Sequence, residues 1–239
     1  MKSLIIVLWS LFLILGGMGS AFGLTFNDGF EGSTLNPFWS VDPLHINAEY
    51  SLSSTQFSDG TQSLKLYATT PGQRYIILGH QFDQVMLGTV SVMFYDSGFP
   101  SLHLYSNLYL STGPMFTPTI NLSYTHTGVM DWDGTYYYAG TAADNGQTAL
   151  PRTIGWHEFK AIYESSGASL YIDGQLVRSI PEFLGFDRLY LALAGPGQDG
   201  VVYFDQFSAN VNPVPIPGSV FLLGSSLLGL VGFRRFRKV

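Results

Sequence analysis

Between Leu24 and Asn212 apolar and polar residues alternate in short runs. The clearest are Ser63-Leu64-Lys65-Leu66-Tyr67-Ala68, Thr89 to Tyr95, His157 to Tyr163, Arg188 to Leu193 and Val201 to Phe207. A period of two sends successive side chains to opposite faces, so each run predicts a strand with one face in a core. Between the runs stand Asp59-Gly60, Ser97-Gly98, Asp133-Gly134, Asn145-Gly146, Asp173-Gly174 and Asp199-Gly200, where glycine supplies the positive φ of a tight turn. No stretch here sustains a helical period. Roughly 190 residues patterned in this way fit one domain, and the expected fold is all-β, an antiparallel two-sheet sandwich of jelly-roll type.

The pattern changes at both ends. Met1-Lys2 precedes an apolar run from Leu4 to Leu15, and the small residues Gly19-Ser20-Ala21-Phe22-Gly23 follow. A basic flank, an apolar stretch and small residues where a peptidase accepts little else predict a secretory signal helix over residues 1–23. A buried N-terminal helix is the alternative. Residues 213–239 contain Val214-Pro215-Ile216-Pro217-Gly218, an apolar stretch from Val220 to Phe233, and Arg234-Arg235-Phe236-Arg237-Lys238. The prolines detach this segment, since each withholds an N–H and fixes φ. The stretch is short of the ~20 residues of a spanning helix, yet it has no polar face that would lay it on a membrane surface. It reads as a hydrophobic anchor helix with its basic cluster cytoplasmic and residues 24–212 outside.

Charge sharpens the picture. Only 12% of residues are charged, about half the usual share. Five of the 11 basic residues sit at the two ends, leaving six against all 17 acidic ones in the middle. That acidic field excludes nucleic acid as a partner, because such binding needs a basic footprint. The absence of cysteine excludes a disulfide framework, a thiolate zinc site and a cysteine nucleophile.

The tail resembles the PEP-CTERM sorting signal of Gram-negative, exopolysaccharide-producing bacteria. The resemblance is carried by Val214, Pro215, Pro217 and Gly218, by Leu222-Leu223-Gly224-Ser225-Ser226-Leu227-Leu228-Gly229, and by Arg234 and Arg235. Val-Pro-Ile-Pro stands where the family's name-giving motif is Pro-Glu-Pro. The resemblance implies signal peptidase processing, transient anchoring in the inner membrane, recognition by an exosortase-type transpeptidase, and delivery to the envelope or extracellular matrix. An ordinary C-terminal anchor is the alternative. The middle resembles the concanavalin A-like lectin/glucanase superfamily, which includes laminin G-like modules. Its phrases are Phe26-Asn27-Asp28-Gly29-Phe30-Glu31-Gly32 with Leu35-Asn36-Pro37-Phe38-Trp39, Ser58 to Leu66, Gly155 to Lys160, Leu170 to Val177, and Tyr203-Phe204-Asp205-Gln206-Phe207. In related sandwiches a structural Ca²⁺ ties the first strand to the last. The matching positions are Asp28, Glu31 and Asp205, whose oxygens suit that cation.

Glycoside hydrolysis needs two carboxylates flanking the bond, and laminarinase-like members carry them in a Glu-x-Asp-x-x-Glu run. No such run exists here, and the nearest pair is Asp131 and Asp133. The five histidines are scattered, no Gly-x-Ser-x-Gly elbow occurs, and His157 reads as a structural imidazole. The expectation is therefore a protein that is not an enzyme. Extracellular polysaccharide is the expected partner, because sugar rings stack on aromatics while nearby polar groups bond their hydroxyls. The candidate site is Trp132 with Asp131, Asp133, Tyr136 and Tyr138; the alternative puts the two tyrosines in the core or over a sheet edge. Trp39 and Trp156 read as core. The rival class is a structural or adhesive matrix protein with no ligand site.

Overall fold

The computed structural model describes residues 23–43, 45–70, 72–97, 105–111, 126–130, 136–141, 145–181, 185–197 and 200–214. The expected signal and anchor helices lie outside them. Among the described residues no helix is long and apolar enough to cross a membrane. In chain order the strands are β1 (Leu24–Asp28), β2 (Ser40–Val41), β3 (Ala48–Ser53), β4 (Ser63–Ala68), β5 (Gly72–Asp96), β6 (Tyr105–Ser111) and β7 (His126–Met130). They continue with β8 (Tyr136–Thr141), β9 (Asn145–Pro151), β10 (Gly155–Glu164), β11 (Gly167–Ile172), β12 (Gln175–Ile180), β13 (Phe186–Gly197) and β14 (Val201–Pro213). The chain is all-β, and every described pairing is antiparallel.

β5 joins two layers. Its first part pairs with β13 from Gly72 to Gln81. Its second part pairs with β10 from Gly88 to Asp96 and with β14 from Met86 to Tyr95. The first layer runs β12-β11-β10-β5-β14, with β4 and β3 beside one end of β14 and β1 beside the other. The second runs β5-β13-β6-β7-β8-β9, with β2 on the free side of β5. One hydrogen-bonded sheet thus doubles over at residues 82–88. Gly88, with φ +129°, makes the crossing fit, since a Cβ there would meet the Asn210 carbonyl oxygen at 2.2 Å.

The core follows from the period-two pattern. On β10 the buried residues are His157, Phe159, Ala161 and Tyr163, and the last three face Ile172, Leu170 and Ala168 across the hairpin. Phe94 stacks on Phe159 with ring centroids 4.9 Å apart, and Phe204 lies 5.9 Å from Phe94. The second layer sends Tyr137 edge-on to Phe159 at 5.7 Å and Phe186 to Tyr163 at 4.8 Å. Such pairs contribute about 0.5–1.5 kcal/mol each beyond the area they bury.

Asp173 and Gly174 both have positive φ, 50° and 74°, as a two-residue hairpin turn of type I′ requires. Two expectations are corrected. Asn145-Gly146 is not a turn but the start of β9, where it pairs with Gly140 and Ala139. Trp156 is not core: the phase that buries His157 and Phe159 turns it to the far face of the first layer, edge-on to Tyr95 at 5.4 Å.

Candidate functional site

Register sorts the second layer into two faces. Leu78, Leu191 and Ala139 are buried toward the core, with Leu108 and Val129 at the positions between them. On the opposite, outer face of the layer, whose Tyr190 and Ala192 are nonetheless buried, one row of register positions runs Gly79, Tyr190, Tyr109, Gly128 and Gly140 across five strands. The next row runs Ile77, Ala192, Asn107, Met130, Tyr138 and Gln147. Tyr75, Ala194 and Tyr105 follow beyond it, and Gln81, Arg188, Ser111 and His126 flank the first row on its other side. No Asp or Glu occupies any of these positions.

Small residues beside tyrosines give this face its relief. The ring of Tyr190 lies across Gly79, where a Cβ would come within 2.6 Å of Cδ1 and 2.9 Å of Cε1. Glycine inside a strand weakens it and marks a place where something approaches the backbone closely. The first row has three, one beside Tyr190 and two beyond Tyr109.

A buried polar network holds β8 and β9 beneath the face. Tyr137, on the core side of β8, donates its hydroxyl to Asp96 Oδ2 at 3.1 Å. Arg152 grips the same carboxylate with two bonds, Nε to Oδ2 at 2.8 Å and Nη2 to Oδ1 at 2.6 Å. Beside Tyr137, the His157 ring places Nδ1 2.7 Å from Asp173 Oδ2 and Nε2 2.8 Å from the Thr153 carbonyl. With the Thr153 hydroxyl also 3.2 Å from Nε2, the ring ties the Asp173 turn to Thr153 and orients its neighbours.

The three carboxylates matched to a calcium site are each engaged by protein donors. Asp28 accepts the Trp39 indole N–H at 2.8 Å and the Phe30 amide at 2.8 Å. Glu31 accepts the Thr61 hydroxyl and the Thr61 and Gln62 amides, which hold its carboxyl below the ordinary range. Asp205 accepts the Ser58 and Asp59 amides on Oδ2 and its neighbour Gln206 on Oδ1. Among the described residues no three His, Asp or Glu side chains come together to hold an ion. Asp131, Trp132 and Asp133 lie outside the described residues, as do Pro215, Pro217, Gly218, Arg234 and Arg235; Val214 follows β14. Tyr136 and Tyr138 belong to β8 rather than to a loop, and Tyr137 between them is the one turned into the core. Trp39 is buried as expected. Sequence reading missed Tyr75, Gly79, Tyr109 and Tyr190. Their signal was the second phase of runs whose first phase, leucine and isoleucine, had already marked a core.

A smaller concavity of about 390 Å³ lies between β2, β3 and β5, lined by Val41, His45, Glu49, Tyr50 and Ile76. Glu49 accepts the Tyr67 hydroxyl there at 3.0 Å and pushes the Tyr67 pKa up.

No family model matches the chain, and no curated protein does. Solved structures do. The chain is similar to "Cellulose induced protein, Cip1" at 14% identity and a TM-score of 0.56, over 77% of this chain and 96% of that one. It is similar to "Apo Crh5 transglycosylase" at 12% identity and a TM-score of 0.56, over 80% and 85%. It also resembles a glycoside hydrolase family 16 endo-glucanase from Bacteroides ovatus at 11% identity and a TM-score of 0.52, over 76% and 98%. These likenesses identify the fold as the jelly-roll sandwich of the concanavalin A-like lectins and glucanases. They also correct the expectation that the chain is not an enzyme. The architecture is that of a transglycosylase and an endo-glucanase, so lacking one sequence run does not set the chain apart from proteins that act on glycosidic bonds.

Proposed function

We propose that this chain engages polysaccharide at or beyond the cell envelope, and that the glycan lies across the outer face of the second layer. The observation that carries the reading is the row in which Tyr190 and Tyr109 stand among Gly79, Gly128 and Gly140. Aromatic residues beside bare backbone are what sugar C–H faces stack on, although Tyr190 itself is only 6% exposed, and exposed Gln147 and Gln81 stand near for hydroxyl groups. Placement at the envelope rests on the signal-like N-terminus and the sorting-like tail. Because the face has no carboxylate, the acid and base of any bond cleavage would come from outside it. In sequence Asp131 and Asp187 adjoin the face positions Met130 and Arg188.

Affinity electrophoresis of the full chain against neutral and acidic polysaccharides, with chromatography of the products, tests the reading. The expected result is retardation of the wild type and about tenfold weaker binding, ~1.4 kcal/mol, in Gly79→Val and Tyr190→Ala. Tyr50→Ala, in the other concavity, is expected to bind as the wild type does. Retardation by no polysaccharide would return the chain to a structural or adhesive role, and released oligosaccharides would add a reaction to the binding.

A further inference from the structure

Arg188 stands in the row beside Tyr190, level with Gln81 on β5 and Ser111 on β6. It is 3% exposed, and neither its Nε nor its Nη2 has a hydrogen-bond partner. Asp187 Oδ1 is 3.4 Å from Nε, but no hydrogen bond forms and that oxygen is itself unsatisfied. A guanidinium cannot shed its proton, and a buried charge without hydrogen bonds is costly. The same protein shows what this edge takes. Arg152 uses its own Nε and Nη2 to hold both oxygens of Asp96. Arg188 presents the same two nitrogens without a hydrogen bond, with Asp187 as its ionic neighbour, in a region where six basic residues oppose 17 acidic ones.

We infer that the polysaccharide taken by this face is acidic, and that Arg188 receives the carboxylate of a uronate residue through its Nε and Nη2. This rests on the outer face being the glycan site. A single hydroxyl group would satisfy only one of the two nitrogens. A planar carboxylate matches the guanidinium fork with two parallel bonds and relieves the cost carried by the free chain. Exposed Gln81, directly across the register from Arg188, marks the side from which the carboxylate reaches it.

The test measures binding of the full chain to polygalacturonate and to alginate, each beside its carboxyl-reduced form, with dextran sulfate as a further arm. The wild type is expected to bind at least one uronate polymer about tenfold or more tighter than its reduced form, with the difference shrinking as salt rises. Arg188→Met is expected to abolish that difference while keeping the affinity for the reduced polymer. Arg188→Lys, which keeps the charge and loses the fork, should fall between. Equal affinity for both forms, or a preference that survives Arg188→Met, would overturn the uronate assignment and leave the polysaccharide reading intact. Tighter binding of dextran sulfate than of the uronate polymers would overturn it in favour of a sulfate group. Binding to no polymer at all would remove both readings together.

Discussion

Asp205 has no exposed surface, and its oxygens take the amides of Ser58, Asp59 and Gln206 and the hydroxyl of Ser58. Asp205→Ala strands these donors and is expected to cost about 2–4 kcal/mol in urea unfolding. The resemblance marked this residue as a calcium position, and its donors stayed out of sight because those on Ser58 lie 147 positions away along the chain. His80 belongs to the same scale. Its ring stacks on Phe38 at 3.7 Å and its Nδ1 lies 2.8 Å from the Phe38 carbonyl. Burial pushes its pKa below the ordinary 6.5, against the smaller upward pulls of that carbonyl and of Asp83. Between the folded value and 6.5 the unfolded chain holds a proton that the folded chain lacks. Stability from this group is therefore complete above about pH 6.5 and falls as pH drops through that window. The melting temperature should decline from pH 7.5 to 5, and less steeply in His80→Phe, which keeps the stack.

At the level of elements β8 shows how one strand serves two faces. Tyr137 closes the polar network toward the core, while the next position, Tyr138, pairs in register with Met130 on β7 and Gln147 on β9. Asp96→Ala takes the carboxylate from Arg152 and is expected to destabilise by about 3–5 kcal/mol. Tyr137→Phe removes one hydroxyl bond and should cost about 1 kcal/mol; chemical denaturation of the pair checks both. Strands with clean alternation, β4, β10, β13 and β14, were legible in the sequence, as was the Asp173-Gly174 turn. β5 was legible only in its second half. Gly79 and Gly88 and the polar stretch around Asp83 interrupt the alternation, and they do so where the strand crosses between layers. β6 to β9 were not among the runs read as strands, because tyrosine, asparagine, threonine and glycine blur the apolar–polar alternation there.

For the whole molecule, the doubled sheet explains how a chain with few charges and no cysteine holds together: residues from both layers bury one aromatic and aliphatic core. Its charges are partitioned as well, with carboxylates kept off the outer face of the second layer, and this is the part of the candidate site that composition alone could not locate. A chain stopped after β12 lacks β13 and β14, the strands that complete both halves of β5. It is expected to show no cooperative urea transition by circular dichroism, whereas the full chain unfolds in one step.

The 25 residues of β5 also set an order in time. During synthesis this strand emerges with Leu78 and Tyr95 already made, but their partners Leu191 and Tyr203 come more than a hundred residues later. Closing such distant pairs is slow, and until they close the strand offers unpaired edges to any neighbour. The sandwich can lock only when its last strand arrives. Until then the polypeptide can be threaded, which is the state in which a chain passes through a translocation pore.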